Sequence, residues 1–324
     1  MITSKRKRLL SQNSPFTGPP GSGKSQTATA IVYHLSRSGS AGRKKAKREQ
    51  ILVCANSNNV CDDLALKISK FTGLKVVRMV SERQVQSYSS NFSVHQIIKE
   101  PGSNSKLANF LELTGDDESE MLESDRKRYN LLRERYLNRL LDEADVICTT
   151  CSMAGAGKLA RKRFKILVLD EAAACTEAEL IGPLNKGVQK LVLIGDFQQL
   201  PPVIKSQTAA ENGLERSLME RLVSLGNYYV MLDTQYRMHP LLSRFPSERF
   251  YGGLLKNGVS EKDRAMLDST FEWPTSGPAL FYSCDEPEQE LGHSYLNREQ
   301  AVVIARLVAR LVDSGIRPSQ IGNF

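Results

Sequence analysis

Gly18-Pro19-Pro20-Gly21-Ser22-Gly23-Lys24-Ser25 sets two glycines four residues apart and follows them at once with Lys and Ser. The glycines let the backbone turn tightly and bring successive N–H groups against phosphate oxygens, where a Cβ would stand in the way. Lys24 is then placed to reach the outer phosphates of a nucleotide, and Ser25 offers a hydroxyl to Mg²⁺. Ala28, Ile31, Val32 and Leu35 recur at i, i+3, i+4 and i+7, so the loop opens an amphipathic helix whose positive end faces the anion. This context favours a phosphate loop over a Gly-Pro surface turn.

Working outward, only Pro15-Phe16-Thr17 is left to form the strand that feeds the loop, and residues 1–14 read as a basic arm around Lys5-Arg6-Lys7-Arg8. Downstream, a Gly/Ser-rich loop carries the basic cluster 43–48. Ile51-Leu52-Val53-Cys54 is a continuous apolar run of the kind that becomes a buried parallel strand, and Val60, Leu64, Ile68 and Phe71 share one side of the helix after it. Further strands are expected within 74–80 and at Val146-Ile147-Cys148, Ile166 to Leu169 and Leu191 to Ile194. Residues 84–142 break the rhythm and predict a helical insertion, with Leu122, Tyr129, Leu132, Tyr136 and Leu140 as its packing stripe. The alternation predicts an α/β fold, a three-layer parallel sheet with its ligand at the carboxyl ends of the strands.

The 324 residues allow about two domains, and 40% hydrophobic with 25% charged residues is ordinary for a globular protein. No apolar run approaches the roughly 20 residues that cross a bilayer, so no membrane role and a cytoplasmic location, with the nucleus also open, are expected. Six scattered cysteines suit reduced, buried thiols. Cys148 and Cys151 lack the second pair a zinc site needs, and no zinc site is expected. A net charge of +8 is compatible with a polyanionic partner.

Ile166-Leu167-Val168-Leu169 runs straight into Asp170-Glu171. Beside a phosphate loop, Asp170 is a candidate Mg²⁺ ligand and Glu171 a candidate general base for the attacking water. Lys24, Ser25 and Asp170 are expected to meet at the ends of adjacent strands. Two more segments follow, Gly195-Asp196-Phe197-Gln198-Gln199-Leu200-Pro201-Pro202 and Gln235-Tyr236-Arg237-Met238-His239-Pro240.

In this order, with Asp170-Glu171-Ala172-Ala173 and the phosphate loop, these motifs resemble the superfamily 1 helicases, specifically the up-frameshift type of nonsense-mediated mRNA decay. The likeness runs over 18–322 and includes Leu52-Val53-Cys54-Ala55-Asn56-Ser57-Asn58, Ala144 to Cys148, Phe250-Tyr251-Gly252-Gly253 and Ser294-Tyr295-Leu296-Asn297-Arg298. It implies RecA-like P-loop NTPase domains: one over 15–232 with the insertion at 84–142, and an incomplete second one over 233–324. By resemblance, ATP is held by Gly18, Pro19, Pro20, Gly21, Ser22, Gly23, Lys24, Ser25 and Gln26, with Tyr236 on the adenine. Lys24, Glu171, Gln199 and Arg237 are the implied catalytic set, Gln199 sensing the γ-phosphate and Arg237 adding positive charge from the second domain. Ser25 and Asp170 hold Mg²⁺. Ser57, Asn58, Thr149 and Thr150 match the family's grip on a single strand of RNA or DNA, although turn and helix-cap chemistry uses the same residue types. Other mRNA-decay factors are implied partners.

The chain departs from the family in three respects. An upstream zinc module, a stalk and barrel, and an adenine-reading glutamine have no counterpart before Gly18, and Asn56 stands in place of the usual proline. At Ile321-Gly322-Asn323-Phe324 the family would begin a core strand, so the chain reads as a fragment or truncated product. The expectation is an ATP-dependent helicase with weak activity in this chain alone; the alternative is a non-catalytic remnant that binds ATP or nucleic acid.

Overall fold

The structure, a computed structural model, describes residues 15–38, 49–71, 73–81, 93, 94, 97, 106–114, 121–265, 269–275, 277–292 and 294–322. The basic arm 1–14, the basic cluster 43–48 and most of the first half of the insertion lie outside them. The chain divides into two units, Met1–Asp233 and Thr234–Phe324.

The first unit contains a seven-stranded sheet. Its strands are β1 (Phe16–Thr17), β2 (Ile51–Ala55), β3 (Val76–Arg78), β4 (Val146–Thr150), β5 (Ile166–Leu169), β6 (Lys190–Gly195) and β7 (Val230–Met231). All neighbours are parallel, in the order β3-β4-β2-β5-β6-β1-β7. The central runs are apolar at every position because both faces are covered. Alternation then sorts them: Leu52, Cys54, Ile147, Leu167, Leu169 and Leu193 face one core, and Ile51, Val53, Val146, Ile166, Val168 and Val192 face the other.

Helices α1 (Lys24–Ser38) and α2 (Asn58–Ser69) cover the second face. Ala28, Ile31, Val32 and Leu35 of α1 and Leu64 and Ile68 of α2 are buried there, as their spacing implies. The first face takes α3 (Lys106–Thr114), α4 (Glu123–Glu143), α5 (Cys151–Gly155), α6 (Glu177–Leu184) and α7 (Leu218–Ser224). Along α4 the expected stripe is shifted. Tyr129, Leu137 and Leu141 are buried, Leu132, Tyr136 and Leu140 pack beside them, and Leu122 is 72% exposed. Leu122 sits at the N-cap, one residue before helical periodicity begins to apply.

Two strands depart from expectation. β1 is only two residues long, but β6 and β7 flank it on both sides and supply its ladder. β7 was not anticipated, since Val230-Met231 is too short a run to stand out from its aromatic neighbours Tyr228 and Tyr229.

The second unit has a parallel pair, β8 (Thr234–Gln235) with β9 (Lys256–Asn257), and an antiparallel hairpin, β10 (Gln289–Leu291) with β11 (Ser294–Leu296). Its longer helices are α8 (Pro240–Phe250) and α9 (Arg298–Asp313). Asn297 caps α9 by accepting from the Gln300 amide at 2.9 Å. No described helix is long and apolar enough to cross a membrane.

Candidate functional site

The loop after β1 is tied into the sheet at both ends. Gly18 N–H donates to the Gly195 carbonyl at 2.9 Å, and Lys24 Nζ folds back onto the Gly18 carbonyl at 2.9 Å. Gly21 and Gly23 have φ of 76° and 82°, values that favour glycine. A Cβ on Gly18 would come within 2.6 Å of Ser22 Oγ and 2.7 Å of Lys24 Cγ, so the cradle closes only around a hydrogen. Ser22 completes the turn, its hydroxyl donating to the Pro19 carbonyl at 2.7 Å. Pro20 and Ser25 are half-buried and Gln26 is exposed.

Asp170 and Glu171 follow β5. Lys24 and Asp170 are therefore not at adjacent strand ends as expected: β6 lies between β1 and β5 and adds its own residues to the row. Asp170 is fully buried, and its Oδ1 accepts from the Glu171 amide at 3.0 Å while Oδ2 has no hydrogen-bond partner. Burial, then the neighbouring Glu171 charge, push its carboxyl up to about 6, while the Glu171 amide, then the Ser25 hydroxyl and the Lys24 ammonium, pull the other way. Glu171 has φ 52°, the one non-glycine residue with positive φ among the described residues. Such a conformation costs about 1–3 kcal/mol and is fixed here in the turn that follows β5.

From β6, Asp196 reaches under the loop. Its Oδ2 accepts from Gln199 Nε2 at 2.6 Å, and its Oδ1 from the Gln198 amide at 3.2 Å and the Thr17 hydroxyl at 3.5 Å. Gln199, otherwise exposed, is thus held by a buried carboxylate whose role the motif alone does not disclose.

Of the four candidate strand-binding residues, Thr149 and Thr150 end β4, while Ser57 and Asn58 follow β2 as the N-cap and first residue of α2; β4 and β2 are neighbours in the sheet, with β5 next to β2. The Ser57 hydroxyl caps α2 through the Val60 amide at 3.4 Å, and Thr150 caps α5 through the Met153 amide at 3.4 Å. Thr149 is fully buried and donates to the Met79 carbonyl at 3.2 Å. Asn58 Oδ1 accepts from Arg78 at 2.6 Å. Cap and turn chemistry therefore engages these side chains, and any contact with a strand uses what the caps leave facing outward.

On the second unit, Gln235 is fully buried and organises the turn behind it. Its Oε1 accepts from the Arg237 and Met238 amides at 2.9 and 2.7 Å, and Nε2 donates to the Met238 carbonyl and Asn257 Oδ1, both at 2.8 Å. Arg264 grips the Tyr236 and Arg237 carbonyls at 2.6 and 2.9 Å. The Tyr236 ring lies against Gly258, where a Cβ would fall 2.2 Å from it. Tyr236 and Arg237 are left exposed on a fixed turn.

Five of the six cysteines, Cys54, Cys61, Cys148, Cys151 and Cys175, are buried free thiols, and Cys284 is half-buried and free. Burial raises Cys61 to about 11, against the pull of Arg78, so it stays protonated at neutral pH.

A family model described as an AAA domain matches residues 3–120 and 99–207, and a second AAA-domain model matches 214–323. The chain belongs to the AAA-domain family. It is homologous to the regulators of nonsense transcripts: it is 41% identical over 310 residues to the ATP-dependent helicase NAM7 of Saccharomyces cerevisiae, covering 94% of this chain and 31% of that protein. The regulator of nonsense transcripts 1 homolog of Arabidopsis thaliana is 41% identical over 311 residues, covering 94% of this chain and 24% of that protein. The ATP-dependent helicase upf1 of Schizosaccharomyces pombe is 39% identical over 310 residues, covering 94% and 33%. The chain thus spans a quarter to a third of these relatives. The loop after β1 and the carboxylates after β5 lie at the carboxyl end of the parallel sheet.

Proposed function

We propose that this chain is the ATP-hydrolysing part of a motor on single-stranded nucleic acid, of the nonsense-transcript regulator type, with RNA as the favoured strand. The observation that carries the reading is Asp170: a wholly buried carboxylate oxygen without a partner, beside Lys24 and Ser25, at the open end of the sheet. A chain does not bury such a group without a partner to come. Hard oxygens from Ser25 and Asp170 suit Mg²⁺. Held by the Ser25 hydroxyl and the Asp170 carboxylate, Mg²⁺ would offset the negative charge of the nucleotide's phosphates.

In this reading the loop amides of Gly21, Gly23, Lys24 and Ser25 hold the phosphates, Lys24 leaves the Gly18 carbonyl for a phosphate oxygen, and Glu171 takes a proton from the attacking water. Gln199, restrained by Asp196, senses the γ-phosphate. Tyr236 and Arg237 take the adenine-facing and charge-neutralising roles that the family resemblance assigns to them.

Binding of a fluorescent ATP analogue and phosphate release, with and without single-stranded RNA, test the proposal. Lys24→Ala is expected to lose most analogue binding, and Glu171→Gln to keep binding while losing turnover, since an amide keeps the shape but takes no proton. Equal affinity of wild type and Lys24→Ala would sink it. Binding without turnover in the wild type would leave the non-catalytic remnant as the correct description.

A further inference from the structure

Arg237 is exposed, yet the backbone on both sides of it is held from outside. The peptide group that joins Tyr236 to Arg237 offers its carbonyl to Arg264, which donates at 2.6 Å, and its N–H donates to Gln235 Oε1 at 2.9 Å. The next peptide group, from Arg237 to Met238, accepts from Arg264 at 2.9 Å and donates to the same Gln235 oxygen at 2.7 Å. Planar peptides leave φ and ψ as the only soft backbone torsions of a residue. Four hydrogen bonds that fix the planes before and after Arg237 therefore also fix the direction of its Cα–Cβ bond.

Both clamps are themselves anchored. Gln235 is fully buried and donates through Nε2 to the Met238 carbonyl and to Asn257. Arg264 closes a short turn that Asp263 pins by accepting from the Ser260 amide and hydroxyl at 2.8 and 2.7 Å. Its remaining terminal nitrogen donates to the Asp263 carbonyl at 2.9 Å. A surface arginine ordinarily keeps its charged head in water. Here all three nitrogens of an exposed arginine are engaged by main-chain carbonyls.

We propose that Arg264 is a positioning residue for Arg237: it fixes the exposed turn so that the Arg237 guanidinium is presented in one direction to the phosphoryl group in transfer. The inference rests on the reading above that Arg237 neutralises charge on that group. A cation stabilises a transition state most when it is in place beforehand, because ordering a loose turn during the reaction offsets the gain. Gln235 holds the N–H edges of the two peptides. Without Arg264 their carbonyl edges are released, and each plane can tip about its remaining hydrogen bond. Lysine replaces the fork poorly, since one ammonium lacks the planar spacing that reaches two consecutive carbonyls and Asp263 together.

The test uses the full chain with Mg²⁺, a fluorescent ATP analogue, phosphate release in a single turnover, and retention of ADP with aluminium fluoride, which mimics the phosphoryl group in transfer and needs no turnover to read. Trp273, the one tryptophan of the chain, lies in the second unit and reports its folding by fluorescence. Arg264→Ala is expected to keep the Trp273 unfolding midpoint and to hold the ATP analogue within about twofold of wild type. It is expected to lose about ten- to a hundredfold in phosphate release and in aluminium fluoride retention, the order of cost of misplacing a reacting group by about 1 Å. Arg264→Lys should fall between wild type and Arg264→Ala. Arg244→Ala removes the same charge from α8 of the same unit, where Arg244 pairs with Glu248 at 3.0 Å, and should match wild type. Arg237→Ala should lose more than Arg264→Ala. In the Arg237→Ala background, adding Arg264→Ala should cost no more than about twofold further, because nothing is left to position.

Losses that multiply in the double variant, or an Arg264→Ala chain that loses analogue binding and phosphate release in equal measure, would overturn the inference. If Arg264→Ala does not fold, the same cycle run with Arg264→Lys decides. A wild type that neither releases phosphate nor retains ADP better with aluminium fluoride than without it, or an Arg237→Ala chain equal to wild type, overturns the role of Arg237 and the inference with it. A loss in Arg237→Ala with none in the Arg264 variants overturns only the inference.

Discussion

Asp170 is where burial and chemistry pull hardest against each other at the scale of one residue. Its carboxyl rises from the ordinary 3.8 to about 6, first through burial and then through Glu171, so the folded chain holds this proton more tightly than the unfolded chain does. Stability from this group is therefore full below about pH 4, falls as pH rises through about 6, and is flat above. A shift of about two units corresponds to on the order of 3 kcal/mol. Metal-free Asp170→Asn should accordingly gain on the wild type by that order between about pH 4 and pH 7 while losing Mg²⁺-dependent nucleotide binding. Denaturant titrations of both chains in chelator, over that pH range, check it. A stability difference that does not change with pH would contradict the assignment.

At the scale of elements, the site depends on backbones that approach too closely for side chains. Gly195 ends β6, accepts from Gly18, and leaves room for the turn behind Glu171, since a Cβ there would lie 2.8 Å from the Ala173 amide and 3.0 Å from the Ala172 amide. Backbone cannot swing aside as a side chain can. Gly195→Ala is expected to cost about 1–3 kcal/mol by overpacking and to weaken nucleotide binding. Gly277→Ala, where a Cβ meets nothing within 4 Å, should stay within about 0.5 kcal/mol of wild type. Chemical denaturation measures both, and indistinguishable midpoints for the two variants would remove Gly195 from the set of shaping residues.

At the scale of the whole molecule, the sheet sorts its motifs by neighbourhood. β5, β6 and β1 lead into Asp170, Glu171, Gln199 and the glycine-rich loop, and β4 and β2 lead into the candidate strand contacts. With a net charge of +8 and contacts expected to be with phosphates, single-stranded RNA should bind with little base preference. Log affinity should fall linearly with log salt, at a slope of about −0.7 for each phosphate contacted. Titration of mixed-sequence and homopolymeric oligonucleotides at several salt concentrations checks this. Binding that is flat with salt, or confined to one sequence, would contradict a backbone grip.

Much of this was legible in the chain because its signals are local. The phosphate loop, the buried runs at Ile51, Val146, Ile166 and Leu191, and the burial of Ala28, Ile31, Val32 and Leu35 follow from spacing and residue type over a few positions. The carboxylates Asp170 and Glu171 were readable for the same reason, standing where an apolar run stops. Strand order was not, because it is set by which apolar faces can be covered at long range; hence β6 stands between β1 and β5, and β7 escaped notice. Gln235, Asp196 and Gly258 look unremarkable until their partners are seen. Arg78 left one clue, a charge inside an apolar strand run, which demands partners without naming them. Spacing along the chain determined which residue types stand at each strand end, and only tertiary packing decided which ends lie together and which polar groups are held from behind, since burial is a property of neighbours rather than of sequence.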